Sequence, residues 1–286
     1  MSARISGPFS RLALHLAVIS ISLVWLMPSV GLLMSSFRRY EAIMTSGWWT
    51  VFQHPFDFTQ YTLQNYAEVL SKQGMGRAFL NSLIITVPST VVPILLAAFA
   101  AYAFAWMNFR GRNLLFAVVI GLLVVPLQMV LIPMLRIYSK LGLAGTFVGI
   151  WLAHSAYGIP FAIYLLRNFF GALPAEIFEC TFLDGGSHFA AFRHVALPLS
   201  VPALASLTIF QFLWVWNDLL VALIYLGGSA TTSPLTLKLN GLVGYQGQNW
   251  HLLTAGAFVS MALPLVIFLA LQRYFIEGIL AGAVKG

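Results

Sequence analysis

Few residues in this sequence can do chemistry: eight of the 286 are acidic and six are histidine. Three of the acids, Glu176, Glu179 and Asp184, fall within one polar stretch, residues 173–202, between long apolar runs. A fourth, Asp218, ends the segment that carries Gln211, Trp214, Trp216 and Asn217. Sugars are bound by hydrogen bonds to their hydroxyls and by packing on aromatic rings, so this segment has the chemistry of a sugar pathway. On one continuous helix Gln211, Trp214 and Asp218 share a face, at i, i+3 and i+7. An ionisable residue within a span is itself a functional-site candidate. The competing reading is structural: Asn217 and Asp218 bond loop backbone and hold an outer gate, while Trp214 packs. Gln128, beside Pro126, is a further pathway candidate with the same two readings. His154 and Tyr157 read as interhelical hydrogen bonders.

Catalytic constellations are missing. His188 and His194 are six apart, which on one helix points them away from each other and prevents a shared metal. Neither a His-Glu-x-x-His pair nor a Gly-x-Ser-x-Gly elbow occurs, and Asp218 has no second carboxylate at helical spacing. Cys180 is the single cysteine, which excludes an intrachain disulfide and a cysteine-based metal cluster. A phosphate-binding loop needs Gly-x-x-x-x-Gly-Lys-Ser/Thr. Lys72, Lys140, Lys238 and Lys285 are the only lysines, and none follows a glycine. The chain therefore reads as a non-enzyme that binds no cofactor, and any ATP-driven work must be done by a partner.

The elements that position these residues belong to a membrane protein. Sixty per cent of the residues are apolar and 8% are charged, the mean hydropathy is +0.88, and a soluble domain carries roughly 25% charged residues. The net charge of +7 comes from basic residues spread thinly between apolar runs, which argues against nucleic acid and for the flanks of membrane helices. With about 20 residues needed per crossing, six spans are expected, near 12–37, 79–107, 114–135, 146–166, 201–226 and 252–276. The first is too long for a signal-peptide core and reads as an uncleaved anchor. The loop 38–77 carries Trp48, Trp49, Tyr61 and Tyr66 and should hug the lipid headgroups.

Every span holds proline: Pro28, Pro88 with Pro93, Pro126 with Pro133, Pro160, Pro202 and Pro264. Each interior proline leaves a carbonyl that a neighbour must satisfy. This suits a bundle that rocks around a cavity, although proline is also commoner in membrane helices generally. Six spans put both termini on one side. Charge does not say which, because Arg4, Arg11, Arg110, Arg112, Arg167, Arg193, Arg273 and Lys285 face Arg38, Arg39, Lys72, Arg77, Arg136, Lys140 and Lys238, eight against seven.

The polar stretch reads as a helix–turn–helix. Pro174 suits a first helical position, Glu176 and Glu179 oppose the helix dipole, Asp184-Gly185-Gly186 ends the helix, and Ser187 caps a second one that Pro198 stops. Phe178, Phe182, Phe189 and Phe192 need burial, either in the chain's own bundle or in a partner's groove.

Residues 179–198, ECTFLDGGSHFAAFRHVALP, resemble the EAA motif of ATP-binding-cassette importer permeases. Glu179, Asp184, Gly185, Phe192, Val195, Leu197 and Pro198 match it, whereas Cys180, Thr181 and Gly186 stand where the family favours alanine. Asn65-Tyr66, Asn81-Ser82, the FRGR turn, Trp216-Asn217-Asp218 and the terminal GAVKG extend the likeness over 60–286, to the shorter permease of maltose- and α-glucoside-type systems. The resemblance implies a single all-α domain over 1–286, a six-helix type I permease in the bacterial inner membrane, with both termini cytoplasmic and 173–202 as coupling loop. It implies a second permease and two copies of a cytoplasmic ATPase that holds ATP and Mg. It also implies an extracytoplasmic sugar-binding protein that meets the 227–251 loop, and a tail, 277–286, that reaches the ATPase. Glu179, Asp184, Gly185 and Gly186 would shape the docking turn, with Phe182, Phe189 and Phe192 entering the partner's cleft. In such systems the larger partner permease mainly holds the sugar. The rival function is an ion-coupled secondary transporter with Asp218 as its coupling site.

Overall fold

The computed structural model describes residues 8–229, 231–243 and 249–283, and their side chains from Arg11 to Gln272. Among the described residues the regular elements are helices, with one isolated β-bridge between Arg38 and Tyr61. The chain forms two compact units, one from residues up to Gly76 with Leu239–Val259, the other from Arg77–Lys238 with the chain after Val259.

The first unit begins with α1, Pro8–Ser36, whose apolar side chains are mostly exposed, as befits a helix facing lipid. A short α2, Tyr40–Thr45, two 3-10 turns and α3, Gln64–Ser71, follow. Arg38 holds this segment together. Its buried guanidinium donates to the carbonyls of Ala42, Ser46 and Gly47 at 3.0, 3.2 and 2.9 Å. Asn65 Nδ2 donates to the carbonyls of Ser36 and Arg38 at 2.9 and 2.8 Å, and Tyr66 meets Ser36 Oγ at 2.8 Å. The Asn65-Tyr66 pair thus closes the end of α1 onto α3. Trp49, Phe52, Phe56 and Phe58 stay exposed on the loop between them.

The first two long helices of the second unit are α4, Met75–Trp106, which starts just inside the first unit, and α7, Phe147–Phe170. Between them, α5, Arg112–Leu123, meets α6, Leu127–Lys140, at a 100° bend. The single helix expected over 114–135 is therefore broken, because Pro126 has an extended backbone (ψ 126°) and cannot donate to the carbonyl four residues back. After α7 come α8, Ala175–Leu183, and α9, His188–Ala191, which continues through a π-helical turn, Phe192–Ala196, into α10, Leu197–Leu199. A 75° bend leads to α11, Val201–Trp216. α12, Leu220–Leu226, α13, Leu235–Leu242, in part, and α14, Trp250–Ala283, also in part, complete the unit. The helix expected over 201–226 stops ten residues early, and α9 to α11 form one bent path instead. Among the described residues four helices are long and apolar enough to span a membrane, or six if each bent pair counts as one span.

Three of the interior prolines have a specific consequence. A proline has no N–H for the carbonyl four residues earlier, and hydrocarbon offers no water to replace it. Pro88 frees Ile84, whose carbonyl accepts from Trp151 Nε1 at 2.8 Å. Pro93 frees Ser89, whose carbonyl accepts from Gln211 Nε2 at 3.1 Å. Pro264 frees Ser260, whose carbonyl accepts from Trp216 Nε1 at 3.0 Å. In each case the donor sits on a different helix, so each proline becomes a point of attachment between helices.

Close packing fills in around these points. Ala97, Ala98 and Ala101 of α4 share one buried cluster with Ala162, Ile163 and Leu166 of α7. Trp216 is buried between Phe79 and Phe212, with ring centroids 5.6 and 5.5 Å away. Trp216→Phe would keep most of this packing and remove only the N–H. It should cost about 1–3 kcal/mol, the penalty for a buried carbonyl left unpaired, read as a lower Tm of the detergent-purified protein.

Candidate functional site

The helix–turn–helix begins one residue later than expected: Pro174 is the N-cap of α8, with Glu176 in its first turn. Gly185 takes the left-handed conformation, φ 78°. The amide of Gly186 donates to the Thr181 carbonyl at 2.9 Å and that of Gly185 to the Phe182 carbonyl at 3.0 Å, the paired bonds of a Schellman ending. At Gly186 a Cβ would lie 2.6 Å from the Thr181 oxygen, so alanine here would force a shift of backbone. Ser187 Oγ accepts from the Ala190 amide at 3.2 Å and starts α9.

The four phenylalanines divide. Phe178, 1% exposed, stacks on Trp106 at 3.8 Å, and Phe192, 5% exposed, packs on Phe99 and Tyr102 at 4.7 and 5.4 Å. Phe192 thus belongs to the chain's own core, and the expectation that it enters a partner's cleft is corrected. The reason is the π-helical turn that begins there, which swings its ring back onto α4. Phe182 and Phe189, the latter 60% exposed, stay outside with Glu179 and Asp184. Leu183, 86% exposed, joins them. Its sequence carries no signal of this, because one leucine in a chain that is 60% apolar does not stand out. His188 bridges inside and outside, with its ring on Phe182 at 4.9 Å and Nδ1 3.3 Å from Tyr102 Oη.

The pathway candidates are only partly brought together. Asp218 lies beyond the end of α11, so it does not share a helical face with Gln211 and Trp214. Its two oxygens accept from the amides of Val221 at 3.2 Å and Ala222 at 2.9 Å, and cap α12. Its carbonyl accepts from Thr236 Oγ1 at 2.6 Å, while Asn217 Nδ2 donates to the Leu213 carbonyl at 2.8 Å. Both side chains thus bond backbone, but that of helices α11 and α12 rather than of a loop. His154, fully buried, has Nε2 3.7 Å from the Asp218 carboxylate and Trp214 edge-on at 5.4 Å. Gln211 is buried against α4. Trp214 lines a cavity of about 410 Å³ with Tyr157, Pro160, Leu127 and Met134. Gln128 is exposed and does not line that cavity. Tyr157 Oη meets Tyr225 Oη at 2.6 Å, a link between α7 and α12 that helical periodicity in either helix does not reveal. No group of three metal-ligating side chains occurs among the described residues.

At Gly185 a Cβ would meet nothing within 4 Å, so any penalty there is conformational. Gly185→Ala should destabilise by about 1–2 kcal/mol, the cost of a left-handed residue with a side chain. Gly185→Asn should lose less, as thermal unfolding of the two variants would show.

Residues 93–280 match the family described as "Binding-protein-dependent transport system inner membrane component". The chain is 59% identical to the osmoprotective compounds uptake permease protein GgtD of Synechocystis sp., over 97% of this chain and 93% of the relative. It is 42% identical to the alpha-glucoside transport system permease protein AglG of Rhizobium meliloti, over 96% of this chain and 97% of the relative. In fold it is similar to a chain in the crystal structure of a bacterial alginate ABC transporter bound to an alginate pentasaccharide-bound periplasmic protein. That likeness has a TM-score of 0.64 at 17% identity and covers 92% and 94% of the two chains. An ion-coupled secondary transporter finds no support in these relatives, and the carboxylate it would need is already bonded to helix amides. The chain belongs to the binding-protein-dependent transport system inner membrane components, the permease family of ABC importers, and has their type I all-α fold.

Proposed function

We propose that this chain is a translocation subunit of an ATP-driven, binding-protein-dependent sugar importer, and that it converts closure of a separate ATPase into alternating access. One observation carries the reading. The helix–turn–helix is anchored inward by Phe178 and Phe192 and presents Glu179, Phe182, Leu183, Asp184 and Phe189 outward. Exposed apolar residues beside carboxylates, on an element locked to the bundle, suit a groove in a partner that can push. The push would pass through the π-helical turn and the 75° bend into α11.

Family membership supports the remaining parts of the reading. A second permease would complete the pathway, and two copies of a cytoplasmic ATPase would bind ATP and Mg. The extracytoplasmic binding protein would meet the 227–251 loop, of which residue 230 and residues 244–248 lie outside the described residues. The tail proposed to reach the ATPase, 277–286, has no described side chains, and residues 284–286 lie outside the description altogether. The chain would sit in the bacterial inner membrane with both termini cytoplasmic, and the exposed aromatic residues of the 38–77 loop would rest at the headgroups. The names of the relatives favour an α-glucoside or an osmoprotective compound as cargo.

Reconstitution of the chain with its partner permease, ATPase and binding protein tests this. Glu179→Lys and Gly185→Pro should each reduce binding-protein-stimulated ATP hydrolysis and sugar uptake at least tenfold. Coupling that is unchanged in both variants would reject the docking reading. Asp218→Asn keeps one of the two capping oxygens and removes the charge. Uptake within about twofold of wild type is expected if Asp218 is a cap, whereas a coupling-ion site would lose transport.

A further inference from the structure

Gln211 carries an inference that rests on the transport reading and goes beyond it. Among the pathway candidates it is the most deeply buried, at 7% exposure. Its Nε2 reaches across to α4 and donates to the Ser89 carbonyl at 3.1 Å, the carbonyl that Pro93 leaves without a helical donor. The third helix makes room for this bond. At Gly158 of α7 a Cβ would lie 2.7 Å from Gln211 Nε2 and 2.8 Å from Oε1, so α7 gives up a side chain where the amide passes. α4, α7 and α11 therefore converge on one polar contact. Ser89 Oγ and Thr90 Oγ1, on the same turn of α4, are buried without a hydrogen-bond partner among the described residues.

We propose that Gln211 is a positioning residue for transport, the pin that ties the gap Pro93 leaves in the hydrogen-bond ladder of α4 to the displacement of α11. An unpaired carbonyl in hydrocarbon is costly, so the gap is tolerated only while α11 keeps the Gln211 amide within reach. α11 is also the helix that receives the bent path from the coupling element. A displacement started there must carry this turn of α4 with it or pull the amide from Ser89. The two spare hydroxyls beside the gap offer the Gln211 amide other partners once α11 has moved. The sugar does not need to touch Gln211 for this, and the burial of its amide argues that it does not.

A merely structural Gln211 would also make this bond, and a compensating pair of substitutions separates the two roles. Gln211→Met keeps the side-chain volume and removes the donor, while Pro93→Ala returns a backbone N–H to the Ser89 carbonyl. In the reconstituted complex, Gln211→Met should lower the Tm and reduce uptake at least tenfold. Gln211→Met/Pro93→Ala should recover most of the Tm, yet leave uptake at least tenfold down while ATP hydrolysis continues. Recovery of uptake together with Tm would overturn the proposal, because the bond would then only patch the proline. Failure to recover Tm would overturn it too, since Gln211 would not be serving the Ser89 carbonyl. Wild-type complex assayed in parallel keeps the functional reading separate. If it takes up no sugar that reading fails, whereas the Tm of the double variant still decides the pairing.

Discussion

The constraint on which this structure depends is that a backbone carbonyl in hydrocarbon must find a donor. Pro88, Pro93 and Pro264 each take a donor away, and Trp151, Gln211 and Trp216 each give one back from another helix. Apolar side chains contribute less than they would in water, because lipid tails are as apolar as the helix surface. Bonds of this kind therefore fix which helices are neighbours and at what height they meet. They are also local, so a helix can pivot at the proline while its two halves remain intact.

The helix–turn–helix uses a different physics, that of short elements held by caps and rings. A left-handed glycine, two reciprocal turn bonds and a serine cap give it a fixed shape. Trp106, whose indole N–H bonds the Phe170 carbonyl at 3.0 Å, stacks on Phe178 and joins the element to the ends of α4 and α7. Such a connection is stiff where it meets the bundle and open where a partner would meet it. In the first unit Arg38 plays a comparable part, with backbone carbonyls rather than a carboxylate satisfying its charge.

Asp218 shows how a residue type can mislead. A carboxylate within an apolar run invites a functional reading, and uninterrupted helical spacing puts it in line with Gln211 and Trp214. The helix, however, stops at Trp216, and the carboxylate is consumed in starting the next one. Gln211 shows the converse, since its neighbours in sequence give no hint that it answers a proline more than a hundred residues earlier.

What the sequence determined by itself was everything that depends on local composition and spacing: the membrane class, the approximate positions of the spans, the missing nucleotide loop and the glycine that ends α8. The EAA-like residues also carried the family. These are legible because apolar length, motif spacing and the φ of a glycine are properties of consecutive residues. The tertiary structure decided the bends at Pro126 and Ser200, the inward turn of Phe178 and Phe192, the end of α11 at Trp216, and the partner of each proline-freed carbonyl. Each of these depends on which helix lies alongside, and a hydrogen-bond donor 67 or 122 residues away leaves no periodic trace in either segment.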